Sequence, residues 1–209
     1  MYLITVEGGD GSGKGEAVRI LANLASRLAF PKVHVTHEPR RHSKLGKIAL
    51  SAVSKGDHTP LEEAGLFAAD RVDHSHTWIR PKLLNGDLVI SDRNIHSSLV
   101  YQGVVGDLGL EQVAKMNSAA MIPDLVIWID CDPSKAMKRI SSGTLRMAGE
   151  KHEYFETTEI QTKIRAGFSG ILSGEIPTPK PFSKCCIMGP VLNESCLLYT
   201  SDAADEWLR

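Results

Sequence analysis

Eight residues near the N-terminus constrain this chain more than any others: Gly8-Gly9-Asp10-Gly11-Ser12-Gly13-Lys14-Gly15. They follow an apolar β-type run, Tyr2–Val6, and lead into a helical pattern over Glu16–Leu28. A strand, a glycine-rich turn and a helix N-terminus in that order make a phosphate-binding P-loop. Glycines let successive backbone N–H groups converge on phosphate oxygens with no Cβ in the way. The helix end adds partial positive charge, and Lys14 adds a full one. One position departs from the pattern: Gly15 stands where Ser or Thr would offer a hydroxyl to Mg2+. Asp10 is a carboxylate inside an anion-binding loop. It is expected to turn away from the phosphates, toward a hydroxyl on a second substrate; a solvent-facing loop acid is the plain alternative.

The remaining pattern is an alternation. Further strand candidates are Lys32–Thr36, Asp87–Ser91, Asp124–Asp130 and Lys184–Met188; helical patterns cover Lys44–Val53, Leu61–Leu84, Glu111–Ala120, Pro133–Ser141 and Glu153–Leu172. Leu88-Val89-Ile90 and Leu125-Val126-Ile127-Trp128-Ile129 are continuously apolar, which fits strands covered on both faces in a parallel sheet. The alternation predicts a doubly wound α/β fold. With 209 residues the chain is expected to form one domain over 1–195. The proline-rich stretch Gly174–Pro181 reads as a loop within it.

Composition excludes several classes. Twenty-four basic against 25 acidic residues leave a net charge of -1, so nothing general favours nucleic acid or an anionic membrane surface. No apolar run approaches the roughly 18 residues of a membrane helix. The first residues lack the basic start of a secretion signal. Cys131, Cys185, Cys186 and Cys196 show no C-x-x-C spacing and are expected as buried free thiols in a reducing cytoplasm, Cys185 and Cys186 on opposite faces of a strand. His74 and His76 are too isolated for a metal site.

Other constellations point to the phosphate loop. The strand Leu88-Val89-Ile90-Ser91 ends in Asp92-Arg93. A strand-ending Asp beside a P-loop is placed to organise a metal ion, and Arg93 can grip a phosphate with two parallel hydrogen bonds. Glu38-Pro39-Arg40 follows the second strand at the sheet edge where ligands bind in such folds. Phe67 and Arg71 stand four residues apart on a helix, presenting a ring and a guanidinium on one face. Ser97-Ser98-Leu99-Val100-Tyr101-Gln102-Gly103 comes shortly after Asp92-Arg93.

Taken in order over residues 2–172, these motifs resemble the thymidylate kinase family, as do Pro123-Asp124-Leu125-Val126-Ile127-Trp128-Ile129-Asp130 and Asp132-Pro133. The resemblance implies a P-loop NTPase-type five-stranded parallel sheet flanked by helices, with a small mobile lid. It implies transfer of the ATP γ-phosphate to dTMP with Mg2+, in a cytoplasmic homodimer that binds neither nucleic acid nor membrane. Residues Gly8, Gly9, Asp10, Gly11, Ser12, Gly13, Lys14 and Gly15 would hold ATP, with Lys14 on its phosphates. Asp10 would meet the sugar 3′-hydroxyl, Phe67 would stack on thymine, and Arg71 would reach the base or the acceptor phosphate. Arg40 and Arg93 would grip that phosphate. Ser98, Tyr101 and Gln102 would line the deoxynucleotide pocket, and Asp92 would organise Mg2+, through water. The resemblance would place the lid at Ser142–Glu153, with Arg146 and Lys151 as its cations; since the loop lacks an arginine, Arg146 would supply the transition-state charge.

Departures from the family pattern are Gly15, Asn94 in place of an aromatic after Asp92-Arg93, and Tyr154 where an arginine is expected. A kinase for another deoxynucleotide or deoxynucleoside remains open, as does a non-catalytic nucleotide-binding protein motivated by Gly15. The run Cys196-Leu197-Leu198-Tyr199-Thr200-Ser201-Asp202-Ala203-Ala204-Asp205-Glu206 resembles translated sequencing adapter, so 196–209 is expected to be a non-native tail.

Overall fold

A computed structural model describes residues 1–141 and 157–193. The expected lid at 142–153, with Arg146 and Lys151, and the tail at 196–209 lie outside the described residues, as do Tyr154 and Cys196. Five parallel strands form one sheet: β1 (Tyr2–Glu7), β2 (Val33–His37), β3 (Leu88–Asp92), β4 (Leu125–Asp130) and β5 (Cys186–Leu192), in the spatial order β2-β3-β1-β4-β5. Parallel neighbours need crossovers, and helices supply them: α1 (Lys14–Ala25), α2 (Lys44–Lys55), α3 (Pro60–His74), α4 (Arg80–Leu84), α5 (Ile95–Ser98), α6 (Leu110–Met116), α7 (Pro133–Ser141) and α8 (Thr158–Leu172). Among the described residues, no helix is long and apolar enough to cross a membrane.

The apolar strands are buried on both faces. Val6, Leu88, Ile90, Ile127 and Ile129 pack with Ala17 and Val18 of α1, while Val126 and Trp128 pack with Ile164 and Phe168 of α8. A third cluster sets Leu3 and Val89 against Leu83 of α4. Caps set where helices start. The Ser43 hydroxyl accepts from Gly46 N, and Thr59 forms a reciprocal capping box with Glu62 ahead of Pro60. Thr157 caps α8, which therefore starts at Thr158 rather than at Glu153.

The structure corrects the expected elements in four places. The helical pattern over Leu61–Leu84 is interrupted by a π-turn, Ser75–Ile79, because Pro81 has no N–H to donate and the Arg80 N–H reaches back to Ser75 O. No helix was expected over Ile95–Ser98 and the π-helical Leu99–Val105 that continues it. Residues 95–103 are all buried, so the segment carries no polar face to reveal its period. The last strand begins at Cys186, so Cys185 precedes it rather than sharing it. Finally, β5 is an edge strand, and Cys186 is exposed while Cys131 is buried.

His96 is one of the titratable residues of the core. It lies fully enclosed on α5, and its Nδ1 has no hydrogen-bond partner among the described residues. Burial, assisted by the charge of Arg71, pushes its pKa from 6.5 down to about 4. The folded chain therefore holds His96 neutral where the unfolded chain protonates it, and stability is lost as pH falls from about 6.5 toward 4, by up to about 3 kcal/mol. His96→Leu is expected to remove that part of the acid limb. Urea denaturation at pH 7 and pH 4.5 checks it: stability changes that match in both proteins would refute the assignment.

Candidate active site

Strand β1 delivers the phosphate loop to the carboxyl edge of the sheet. Two glycines in it are compulsory. Gly8 has φ 149° and a Cβ there would lie 2.3 Å from Ile129 O; Gly11 has φ 71° and a Cβ would lie 2.6 Å from Ala136 O. Lys14 is buried and its Nζ donates to Gly9 O at 2.7 Å. Burial, with the neighbouring Arg93 charge, lowers its pKa to about 8. Two residues not anticipated from sequence brace the loop. Arg139 donates to Gly11 O (3.2 Å), and Asn193 donates through Nδ2 to Ser12 O (2.8 Å). Nothing in an amphipathic helix or a strand end marks either one; only the fold brings α7 and the end of β5 to the loop.

The pairing of β1 with β3 places Val6 beside Asp92 and so sets Asp92-Arg93 next to the loop. Arg93 takes a left-handed backbone (φ 68°) with its N–H on Val6 O. Its guanidinium pairs with Asp10 and donates to Ser97 Oγ at 3.0 Å, and the Tyr101 hydroxyl donates to Asp10 Oδ2 at 2.8 Å. Burial works to raise the Asp10 pKa, but Arg93 and Lys14 outweigh it and hold it at about 2. Arg93 is pushed the other way: burial opposes its charge, but Asp10 and Asp92 raise its pKa further. Behind Arg93, Ser97 Oγ donates to Glu7 Oε2 (2.6 Å) and Asn94 N to Glu7 Oε1 (2.7 Å). Burial lifts Glu7 to about 7.

A cleft of about 560 Å3 runs from this pair outward. Its walls include Asp10, Gly15, Phe67, Arg71, Asp92, Arg93, Ser98, Tyr101 and Gln102, which the sequence had scattered over 93 positions. Arg71 is buried in its wall. Arg71 Nε donates to Glu38 Oε2 (2.7 Å), and its Nη1 to Ser98 Oγ (2.9 Å) and Asn117 Oδ1 (2.7 Å). Pro39 of the Glu38-Pro39-Arg40 motif also lines the cleft, as do Leu50 and Val53, whose apolar surface sequence reading did not single out. Asn94, in place of an aromatic, caps α5 and donates to Glu38.

Arg40 is the misplaced residue. It does not line the cleft: its backbone N–H and Nε donate to Asp70 (2.8 and 3.1 Å), and its guanidinium also pairs with Asp73. Its neighbour Arg41 lines the cleft instead, with no ion-pair partner among the described residues. Two adjacent arginines in a loop cannot be told apart from sequence; the buried Asp70 on α3 decides which one is captured.

A divalent cation fits beside Asp92. Asp92 Oδ1 is buried without a hydrogen-bond partner among the described residues, where a Cβ added to Gly15 would meet only Asp92 Oδ2, at 3.9 Å. No group of three His, Cys, Asp or Glu side chains that could hold a metal exists among the described residues. Asp92 would therefore act on a cation whose other ligands are water and phosphate oxygens.

Comparison with known proteins agrees with this geometry. A family profile described as thymidylate kinase matches residues 6–176. The chain is 40% identical over 163 residues to a probable thymidylate kinase of Pyrobaculum calidifontis, covering 78% of each. It is 37% identical to a probable thymidylate kinase of Thermococcus onnurineus, covering 79% of this chain and 81% of that one. It is also 37% identical to a thymidylate kinase of Lactobacillus delbrueckii subsp. bulgaricus, covering 81% and 82%. The chain belongs to the thymidylate kinase family.

Proposed function

We propose that this chain transfers the γ-phosphate of ATP to dTMP, giving dTDP and ADP, with Mg2+ as the accompanying cation. The observation that carries the reading is one cleft lined by Asp10 and Gly15 of the phosphate loop, by Arg93, which donates to Gly8 O of that loop, and by Phe67 and Arg71. In such a transfer the attacking atom is a phosphate oxygen of the acceptor, so the protein supplies alignment and positive field rather than a nucleophile. Lys14 and the loop hold the donor phosphates. Arg93 sits between the two substrates and steadies the acceptor phosphate. Asp10, fixed by Arg93 and Tyr101, accepts from the sugar 3′-hydroxyl, and Phe67 stacks on the base. Arg71, with three acceptors already engaged, serves the base rather than the phosphate. Mg2+ neutralises charge on the transferring group, with Asp92 orienting its water shell. Arg146 remains the lid cation on the resemblance, as do a homodimer and a cytoplasmic setting.

An acceptor panel with a coupled ADP readout tests the reading. dTMP is expected to outrank dUMP modestly, since one methyl is worth about 1–3 kcal/mol in an apolar pocket, and to outrank dCMP, dGMP and thymidine strongly. Preference for thymidine over dTMP would sink it. Within the same assay, Arg41→Ala is expected to raise the dTMP KM about tenfold or more at unchanged ATP KM, as for a lost charged hydrogen bond. Arg40→Ala should chiefly lower the melting temperature; a larger KM effect from Arg40→Ala would return the phosphate contact to Arg40.

Gly15 separates a working kinase from a nucleotide-binding relic. Mg2+ keeps several waters, so one missing hydroxyl is replaceable by water, at a cost in cation affinity. The open space beside Asp92 admits a serine. Gly15→Ser is expected to lower the half-saturating Mg2+ concentration and to stabilise the helix by about 0.5 kcal/mol. Mg2+ titration of ADP formation in both proteins decides; turnover only in Gly15→Ser would establish the relic.

A further inference from the structure

Arg71 is anchored more completely than its place in a substrate pocket requires. Its Nε and Nη1 are spent on Glu38, Ser98 and Asn117, which leaves Nη2 without a partner among the described residues. The anchor is itself anchored. Glu38 Oε1 receives Asn94 Nδ2 at 3.2 Å and lies 3.0 Å from His74 Nδ1, while His74 Nε2 lies 2.9 Å from Thr36 Oγ1. Glu38, Arg71, His74, Asn94, Ser98 and Asn117 are all buried. The set draws on the ends of β2 and β3, on α3, on α5 and on the residue closing α6, and the carboxylate cannot turn without breaking its bonds to Arg71, His74 and Asn94.

We propose that Glu38 is a positioning residue for base selection: it locks Arg71 in one orientation, so that the pocket takes a 4-keto pyrimidine and refuses a 4-amino one. The inference rests on the dTMP reading above. A guanidinium has donors and no acceptor. Nη2 can therefore satisfy a carbonyl oxygen on the base, whereas an exocyclic amine sets donor against donor. A loosely held arginine would swing aside and tolerate the amine. A locked one leaves both donors unpaired in a dry wall, and selectivity comes from that penalty. Phe67, one turn earlier on α3, stacks on either pyrimidine and cannot make the distinction.

The test is the ratio of kcat/KM for dTMP to that for dCMP in the full-length chain. Glu38→Gln keeps the size of the side chain but turns one acceptor oxygen into a donor. The ratio is expected to fall at least about tenfold, through a higher dTMP KM, with kcat at saturating dTMP within about threefold and ATP KM unchanged. Loss of structure alone would depress both acceptors alike and leave the ratio where it was. Asn117→Ala removes an acceptor from Nη1 without touching the ion pair, and should move the ratio in the same direction should Glu38→Gln fail to fold. Calorimetric binding of dTMP and dCMP without ATP reads the same preference independently of turnover. Wild-type activity on dTMP with a ratio within about twofold of wild type in both variants overturns the role given to Glu38. Wild-type protein that turns over no dTMP overturns instead the functional reading on which it rests.

Discussion

The pairing of β1 with β3 is the constraint on which the rest of the site depends. Both strands run in the same direction, so both end at one edge of the sheet, with Val6 level with Asp92. The phosphate loop leaves from one strand end and Asp92-Arg93 from the other, with the Arg93 N–H on Val6 O at 3.0 Å although Val6 and Asp92 stand 86 positions apart in sequence. Strand β2 pairs on the far side of β3 with His37 level with Asp92, which brings residues 38–41 to the same edge. Parallel pairing demands long crossovers, and one of these, α3, carries Phe67 and Arg71 back over the cleft. Topology has thus concentrated, at one end of the sheet, groups that could never meet through local structure.

That concentration buries charge, and buried charge must be matched. Arg93 faces Asp10, with Tyr101 completing the carboxylate's bonds; Arg71 faces Glu38; Arg40 faces Asp70. Glu7 is the exception in kind. Its oxygens receive Asn94 N and Ser97 Oγ, but no cation among the described residues bonds it directly, and its pKa rises to about 7. The pairs are graded by place. Arg71 and Asp10 line the cleft and are suited to meet substrate, whereas Arg40 lies outside it and ties residues 40–43 to Asp70 and Asp73 of α3.

Gly15 and Asn94 depart from the pattern that the rest of the chain keeps, and the structure treats them differently. Asn94 is absorbed: its side chain caps α5 and bonds Glu38, so an amide does structural work inside a polar cluster. Gly15 is not compensated. No nearby described side chain fills the space, and Asp92 Oδ1 stays unpartnered beside it.

Local chemistry made much of this legible in advance. Glycine spacing after a strand specifies the phosphate loop, since few sequences place amides that closely, and continuous apolar runs specify strands covered on both sides. Phe67 and Arg71 share a face because helical spacing requires it. Other features carry no local mark. The segment 95–103 hides its helical period by being buried all round. The choice of Arg41 over Arg40 at the cleft depends on Asp70, thirty residues from Arg40, and the braces Arg139 and Asn193 reach the loop only after α7 and β5 have packed. What the sequence determined by itself was which groups the chain could bring to a phosphate, because that follows from residue type and short-range spacing. Which of those groups face the cleft, and which are consumed in holding others still, was decided by tertiary structure, because a hydrogen-bond donor is available only where no buried acceptor has already claimed it.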